Sequence, residues 1–168
     1  MSLEIPESLA NLEANGGIYA VWMLLQHLGL DAEIDQLVNV CGYDAEYGTS
    51  SLGLAIGLKK FGYQIQFHTD EDLEPSEEDL KELNTAQQIQ LPILPALSYA
   101  EIQQAFEQKQ YVIVYYDTLE GEGNHSLVYA VDANEISFFD SFEAMPAALF
   151  EQQRAVEGIF RQAIVVDA

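Results

Sequence analysis

Cysteine occurs once in these 168 residues, at Cys41, which excludes an intrachain disulfide framework and leaves no thiol cluster for zinc. Cations are almost as scarce. Six lysines and arginines stand against 28 acidic residues, a net charge of −22. Phosphate binding needs clustered Lys and Arg, so no nucleic-acid ligand is expected, and the same charge would repel an anionic membrane surface. Long apolar runs are missing too. The longest, Gly16–Leu25, is too short to span a bilayer, and the N-terminus shows no basic segment followed by an apolar one. No membrane insertion is expected, and the chain reads as cytoplasmic or exported by a route that needs no signal peptide. Its three histidines are scattered without H-x-x-x-H spacing, and no G-x-x-x-x-G-K-[ST] loop is present, so neither a metal nor a cofactor is expected.

What is there is an apolar half, 49% of the residues, enough for one globular domain over residues 1–168. Helical stripes come first. Ile18, Val21, Trp22, Leu24, Leu25 and Leu28 predict a buried helix that stops at Gly29. A second helix is predicted with Asp31 as cap, Ile34, Leu37, Val38 and Cys41 turned inward, and Gly42 as terminator. A third is capped by Thr49 or Ser50 and closed by Gly62. Tyr63–Thr69 alternates as a strand does; the acidic run after it enters an exposed helix, and "LPILPAL" is extended by its prolines. "SYAEIQQAFEQKQ" carries a capping box, Ser98 with Glu101. The last third turns to strands: "YVIVYYD", "HSLVYAVDA", "EISFFDS" and "GIFRQAIVVD", with a short helix near "PAALFEQQRA". The expected class is α+β, N-terminal helices packed on a C-terminal antiparallel sheet.

The first helix opens oddly. Gly16 and Gly17 stand in its first turn, each costing about 1 kcal/mol relative to alanine. A helix N-terminus is also where the macrodipole and a nearby imidazolium would stabilise a thiolate, yet Gly16 occupies that place. Cys41, on the inward side of a C-terminal turn, is poorly placed for the same role.

His125 has the most telling surroundings of the three histidines. If the strands flanking "DANE" form a hairpin centred between Asp132 and Ala133, His125 lies opposite Asp140, Leu127 opposite Phe138 and Tyr129 opposite Ile136. Directly opposed side chains stand about 5 Å apart at Cβ, within reach of an imidazole–carboxylate hydrogen bond. Such a pair either orients a base in a nucleophile/base/acid triad or is a buried histidine satisfied for structural reasons. The glycine-bearing loop "EGEGN" just before it permits close approach of a substrate backbone. His27 and His68 lack such partners and read as structural or surface residues.

The stretch "NGGIYAVWMLL", the following "IDQLVNVCGYDAEYGTSSLGLAIGLKKFGYQIQ" and "NHSLVYAVDANEISFFDS" together resemble the papain-like double-glycine peptidases that process bacteriocin leaders, and their stand-alone relatives. The resemblance covers most of residues 10–141. It implies a bacterial protein of papain-like fold, with Gly16 at the nucleophile position, His125 as base and Asp140 as orienting acid, and Cys41 as a non-catalytic cysteine. The family's oxyanion-hole glutamine falls on Ala10, with Asn11 one position away as an amide donor. A peptidase or amide hydrolase acting on a peptide or a glutamine side chain through a thioester is implied, without its nucleophile and so inactive as written. The alternative is a natural pseudo-peptidase that holds a peptide or protein partner uncut. Gly16 itself reads either as natural or as an engineered replacement.

Overall fold

The computed structural model describes residues 4–118 and 123–167; Glu120–Glu122 of the expected glycine-bearing loop lie outside them. Four helices precede the first strand: α1 (Glu7–Ala10), α2 (Gly16–His27), α3 (Ile34–Cys41) and α4 (Ser51–Lys60). The single turn α1 is the one that apolar periodicity did not announce. Eight residues of α2 are buried, among them Ile18, Trp22, Leu24 and Leu25, and full burial of one such side chain is worth about 1.5–3 kcal/mol. Gly29 and Gly42 follow α2 and α3 with φ of 77° and 71°, a conformation glycine adopts without a Cβ clash. Asp31 is not the cap of α3. The chain stays extended through Glu33, so Asp31 sits too early to reach the first free N–H groups. Ser50 does cap α4, its Oγ accepting from Gly53 N at 3.0 Å.

The rest of the chain runs β1 (Gln64–Thr69), α5 (Glu77–Gln88), β2 (Ile93–Pro95), α6 (Tyr99–Glu107), β3 (Tyr111–Asp117), β4 (Gly123–Val131), β5 (Glu135–Phe138), β6 (Ser141–Pro146), α7 (Ala147–Arg154) and β7 (Ala163–Asp167). Both halves of the Ser98/Glu101 capping box form, and Ser76 with Asp79 makes a second one on α5. The strand expected across "GIFRQAIVVD" shortens to β7, because Gly158, Phe160 and Arg161 all take positive φ and break the extended run.

Seven strands form one sheet in the order β2-β1-β7-β3-β4-β5-β6. Every pairing is antiparallel except β1 with β2, where the α5 crossover returns the chain in the same direction. Ile113, Leu127, Ile164 and Val166 project from one face into the core built by α2, α3 and α4. Val112, Val114, Val128, Phe138 and Val165 project from the other, against Ile102 of α6 and Phe150 of α7. The fold is α+β with the N-terminal helices on one sheet face, and no helix among the described residues is long and apolar enough to cross a membrane.

Candidate functional site at the start of α2

The first turn of α2 is left open to a cavity. Asn15 precedes it, but the Asn15 amide donates to Leu9 O at 2.9 Å and so ties α1 to the helix instead of capping it. The first backbone bond into the turn is Tyr19 N to Asn15 O, which leaves Gly16, Gly17 and Ile18 N–H without a protein partner among the described residues. No acidic residue lies in that turn. A cavity of about 530 Å³ opens here, with Gly16, Gly17, Thr49, Tyr115, Asn124 and His125 in its walls. The loop carrying Thr49 is held down by Tyr43, whose hydroxyl donates to Glu13 O, and by the Asp44–Gly48 bridge.

The residue facing Gly16 is Asn124. A β-carbon on Gly16 would stand 2.8 Å from Asn124 Oδ1, tighter than an ordinary contact, so the carboxamide fills the space a side chain at position 16 would take. Asn124 Nδ2 points the other way and donates to Tyr116 Oη at 3.1 Å and Ser126 Oγ at 3.2 Å. Ser126 Oγ donates in turn to Asp140 Oδ2 at 3.0 Å. Position 16 is thus linked to Asp140 through Asn124 and Ser126.

His125 lies on the opposite sheet face from that chain. Its ring stacks on Tyr115, its partner on β3, with centroids 4.3 Å apart, and its Nε2 is 2.7 Å from Ser51 Oγ. Its Nδ1 would lie 3.4 Å from a β-carbon on Gly17, so it borders the cavity one residue further along the helix. Burial pushes its pKa down to about 3, and the ring is neutral at pH 7.

The expected His125–Asp140 pairing is replaced by Ser126–Asp140, and the reason is the turn. Asp132 Oδ1 accepts from both Asn134 N and Glu135 N, which centres the hairpin between Ala133 and Asn134, one residue later than expected. Val131 then pairs with Ile136 and Ala130 with Ser137; Tyr129 bulges, and Val128 pairs with Phe138. Phe139 N donates to Leu127 O, continuing the corrected register towards Ser126 and Asp140. A net shift of one residue moves a side chain to the other face of a strand. The Leu127–Phe138 and Tyr129–Ile136 pairs are displaced with it.

Asn11 is exposed just after α1 and is not among the residues in the cavity walls. Cys41 is buried in the helical core, where burial pushes its thiol up to about 12. His27 packs on Phe139, and His68 is held between Pro95 O and Gln66 Oε1. Sequence reasoning missed Asn124, Ser126 and Ser51. The Asx pattern of Asp132 before Asn134 was the signal that would have shifted the register to put Ser126 opposite Asp140. Among the described residues no group of His, Cys, Asp or Glu side chains is arranged to hold a metal ion.

No protein-family model and no curated protein matches the chain. Among solved structures it is similar to the peptidase domain of Streptococcus ComA, a bi-functional ABC transporter involved in a quorum sensing pathway. That likeness has a TM-score of 0.54 at 14% identity and covers 91% of each chain. At that identity the likeness establishes the fold, which is that of a papain-like peptidase domain.

Proposed function

With the papain-like peptidase fold as premise, we propose that this protein is a non-cleaving relative of such peptidases, a module that holds a peptide in the cleft beside Gly16 without cutting it. The observation that carries this reading is Asn124 Oδ1 opposite Gly16. A thioester mechanism needs a thiol at the helix start and a base within hydrogen-bond reach of it. Glycine offers no nucleophile and a carboxamide is no base, while the cavity, the open helix N-terminus and the polar chain to Asp140 are all still in place. The pairing of Gly16 with Asn124 also favours a natural loss of chemistry over replacement of a single catalytic residue. The second reading, a hydrolase disabled at Gly16 alone, would require His125 as its base, and His125 borders Gly17 while its Nε2 is engaged by Ser51.

Panning a random peptide library against the whole chain tests the proposal. Enriched peptides should return uncut by mass spectrometry and should bind Tyr47→Ala more weakly, because Tyr47 is an exposed wall of the cavity whose loss leaves the core intact. Enrichment no better than on the heat-denatured chain would refute the binding module, and recovery of cleaved peptides would refute its inactivity.

A further inference from the structure

We infer that an apolar groove adjoining the cleft takes an arginine or lysine side chain of the held peptide, with the alkyl stem on the groove walls and the charged tip towards Glu82. This rests on the peptide-holding reading above and names the residue class that would be recognised.

The groove has a volume of about 530 Å³ and runs between the start of α4, helix α5 and the sheet edge at β1 and β2. Leu52, Phe67, Leu83, Ile93 and Phe160 give it apolar walls. Two of these keep over a third of their surface in water, Leu83 at 37% and Ile93 at 39%. Exposed apolar surface of this kind marks a binding groove when polar groups rim it. The groove is also continuous with the cleft at Gly16. Tyr115 is a wall of both, and Ser51, a wall of the groove, holds His125 of the cleft at 2.7 Å. A peptide lying past Gly16 therefore meets the groove next.

The rim decides which side chain fits. Glu71, Asp72, Asp79 and Glu82 line the groove, and no lysine, arginine or histidine does. Asp70 lines it too, but Arg161 already neutralises that carboxylate through bonds of 2.8 and 2.7 Å. Asp72 and Asp79 accept from Glu74 N and Ser76 N, which orders them without cancelling their charge. Glu82 is half-buried. Its two oxygens share the Ser50 hydroxyl at 2.9 and 2.7 Å, and no cation pairs with it among the described residues. Burial raises its pKa, and the Asp79 and Glu78 carboxylates add to the rise; a cation beside it would offset both. Acidic side chains alone do not choose among cations. Among the described residues no group of carboxylates converges to hold a metal ion, and a solvated ion pair by itself contributes little. The apolar walls make the choice, because Lys and Arg bury an alkyl stem on such surface while the head stays with a carboxylate. A neutral apolar side chain would fill the same walls but desolvate Glu82 further without giving it a partner.

Three acetylated tripeptide amides test this: Gly-Arg-Gly, and the same peptide with citrulline or norleucine in place of arginine. Citrulline keeps the shape without the charge, and norleucine keeps only an alkyl stem. Each is titrated into the 15N-labelled whole chain at near-neutral pH and about 0.15 M salt while the Leu52, Leu83 and Gly158 amide resonances are followed. The arginine peptide should move them saturably and bind at least about fivefold tighter than either analogue, more than a solvent-exposed ion pair supplies. Glu82→Gln should remove that preference. Glu4→Gln, the same change of charge at an exposed residue outside the groove, should leave it intact. Leu83→Ala, at a wall that is partly in water, should weaken the arginine peptide severalfold and serves as the second variant if Glu82→Gln does not fold. An arginine peptide no tighter than its analogues, no saturable movement in the groove, a preference that survives Glu82→Gln, or unweakened binding to Leu83→Ala overturns the inference. None of these outcomes touches peptide holding itself, which the library panning judges. Uncut peptides enriched there without a recurring basic residue would overturn this inference and keep that reading.

Discussion

On the proposed reading, cysteine introduced at Gly16 is a thiol at a helix N-terminus whose facing side chain, Asn124, is not a base. Its β-carbon would press on Asn124 Oδ1, so the carboxamide must rotate, and His125 is turned towards Gly17 and Ser51. The helix end alone lowers a thiol pKa modestly. Gly16→Cys should therefore react with an alkylating agent at near the free-thiol rate, unchanged by His125→Ala, whereas Gly16→Cys with Asn124→His should react at least about tenfold faster near neutral pH. Labelling mapped by mass spectrometry reads this out, and a large drop on adding His125→Ala alone would restore His125 as the base. His125 makes a second prediction through pH. Its folded pKa lies below the unfolded value of 6.5, so the unfolded chain binds the extra proton. Its contribution to stability is complete above pH 6.5 and is lost as pH falls towards 3, by at most about 1.4 kcal/mol per unit. Urea unfolding at about pH 7 and about pH 5.5 should show a smaller loss in His125→Gln than in the parent. Equal losses would mean that the imidazole is protonated in the folded protein.

Among the elements, the β4–β5 hairpin decides which residues meet Asp140, and Asp132 decides the hairpin. One carboxylate oxygen holds two backbone N–H groups, at 2.8 and 3.0 Å. Asp132→Ala removes the shared acceptor of both bonds from an exposed turn where water substitutes in part, so the expected cost is about 1 kcal/mol in urea unfolding. Hydrogen exchange should accelerate at Ser137 and Ile136 while the β3–β4 ladder keeps its protection. An unchanged exchange pattern would show that cross-strand packing of Val128 on Phe138, not the turn, sets the register.

For the molecule as a whole, the excess of 28 acidic over six basic residues makes the folded state repel itself. The compact state concentrates that charge and the unfolded chain spreads it out. Raising sodium chloride from about 0.01 M to about 0.5 M shortens the screening length from roughly 30 Å to a few ångströms, and the urea midpoint should rise. The Arg161–Asp70 pair, two bonds of 2.8 and 2.7 Å between half-exposed groups, works in the opposite sense and is too small to reverse the trend. A midpoint that falls with salt would assign the stability to ion pairs.

The sequence by itself determined most elements and their order; α1 was not announced, and the single strand expected over "EISFFDS" is β5 with a separate β6 after it. The apolar stripe from Ile18 to Leu28, the glycine stops at Gly29 and Gly42, and the capping box of Ser98 with Glu101 are local signals, and helices form where periodicity and caps agree. It also located the anomaly at Gly16 and drew attention to the segment around His125. Tertiary structure alone decided who faces whom. Strand side chains alternate with a period of two, so one residue of difference in the turn, partly taken back by the bulge at Tyr129, exchanged His125 for Ser126 opposite Asp140, while the approach of β4 to α2 put Asn124 against Gly16. Periodicity tells which residues share a face but not which face meets the helix. The packing of α2 against β4 settles that, because only one register buries Leu127 in the helical core and Val128 in the other.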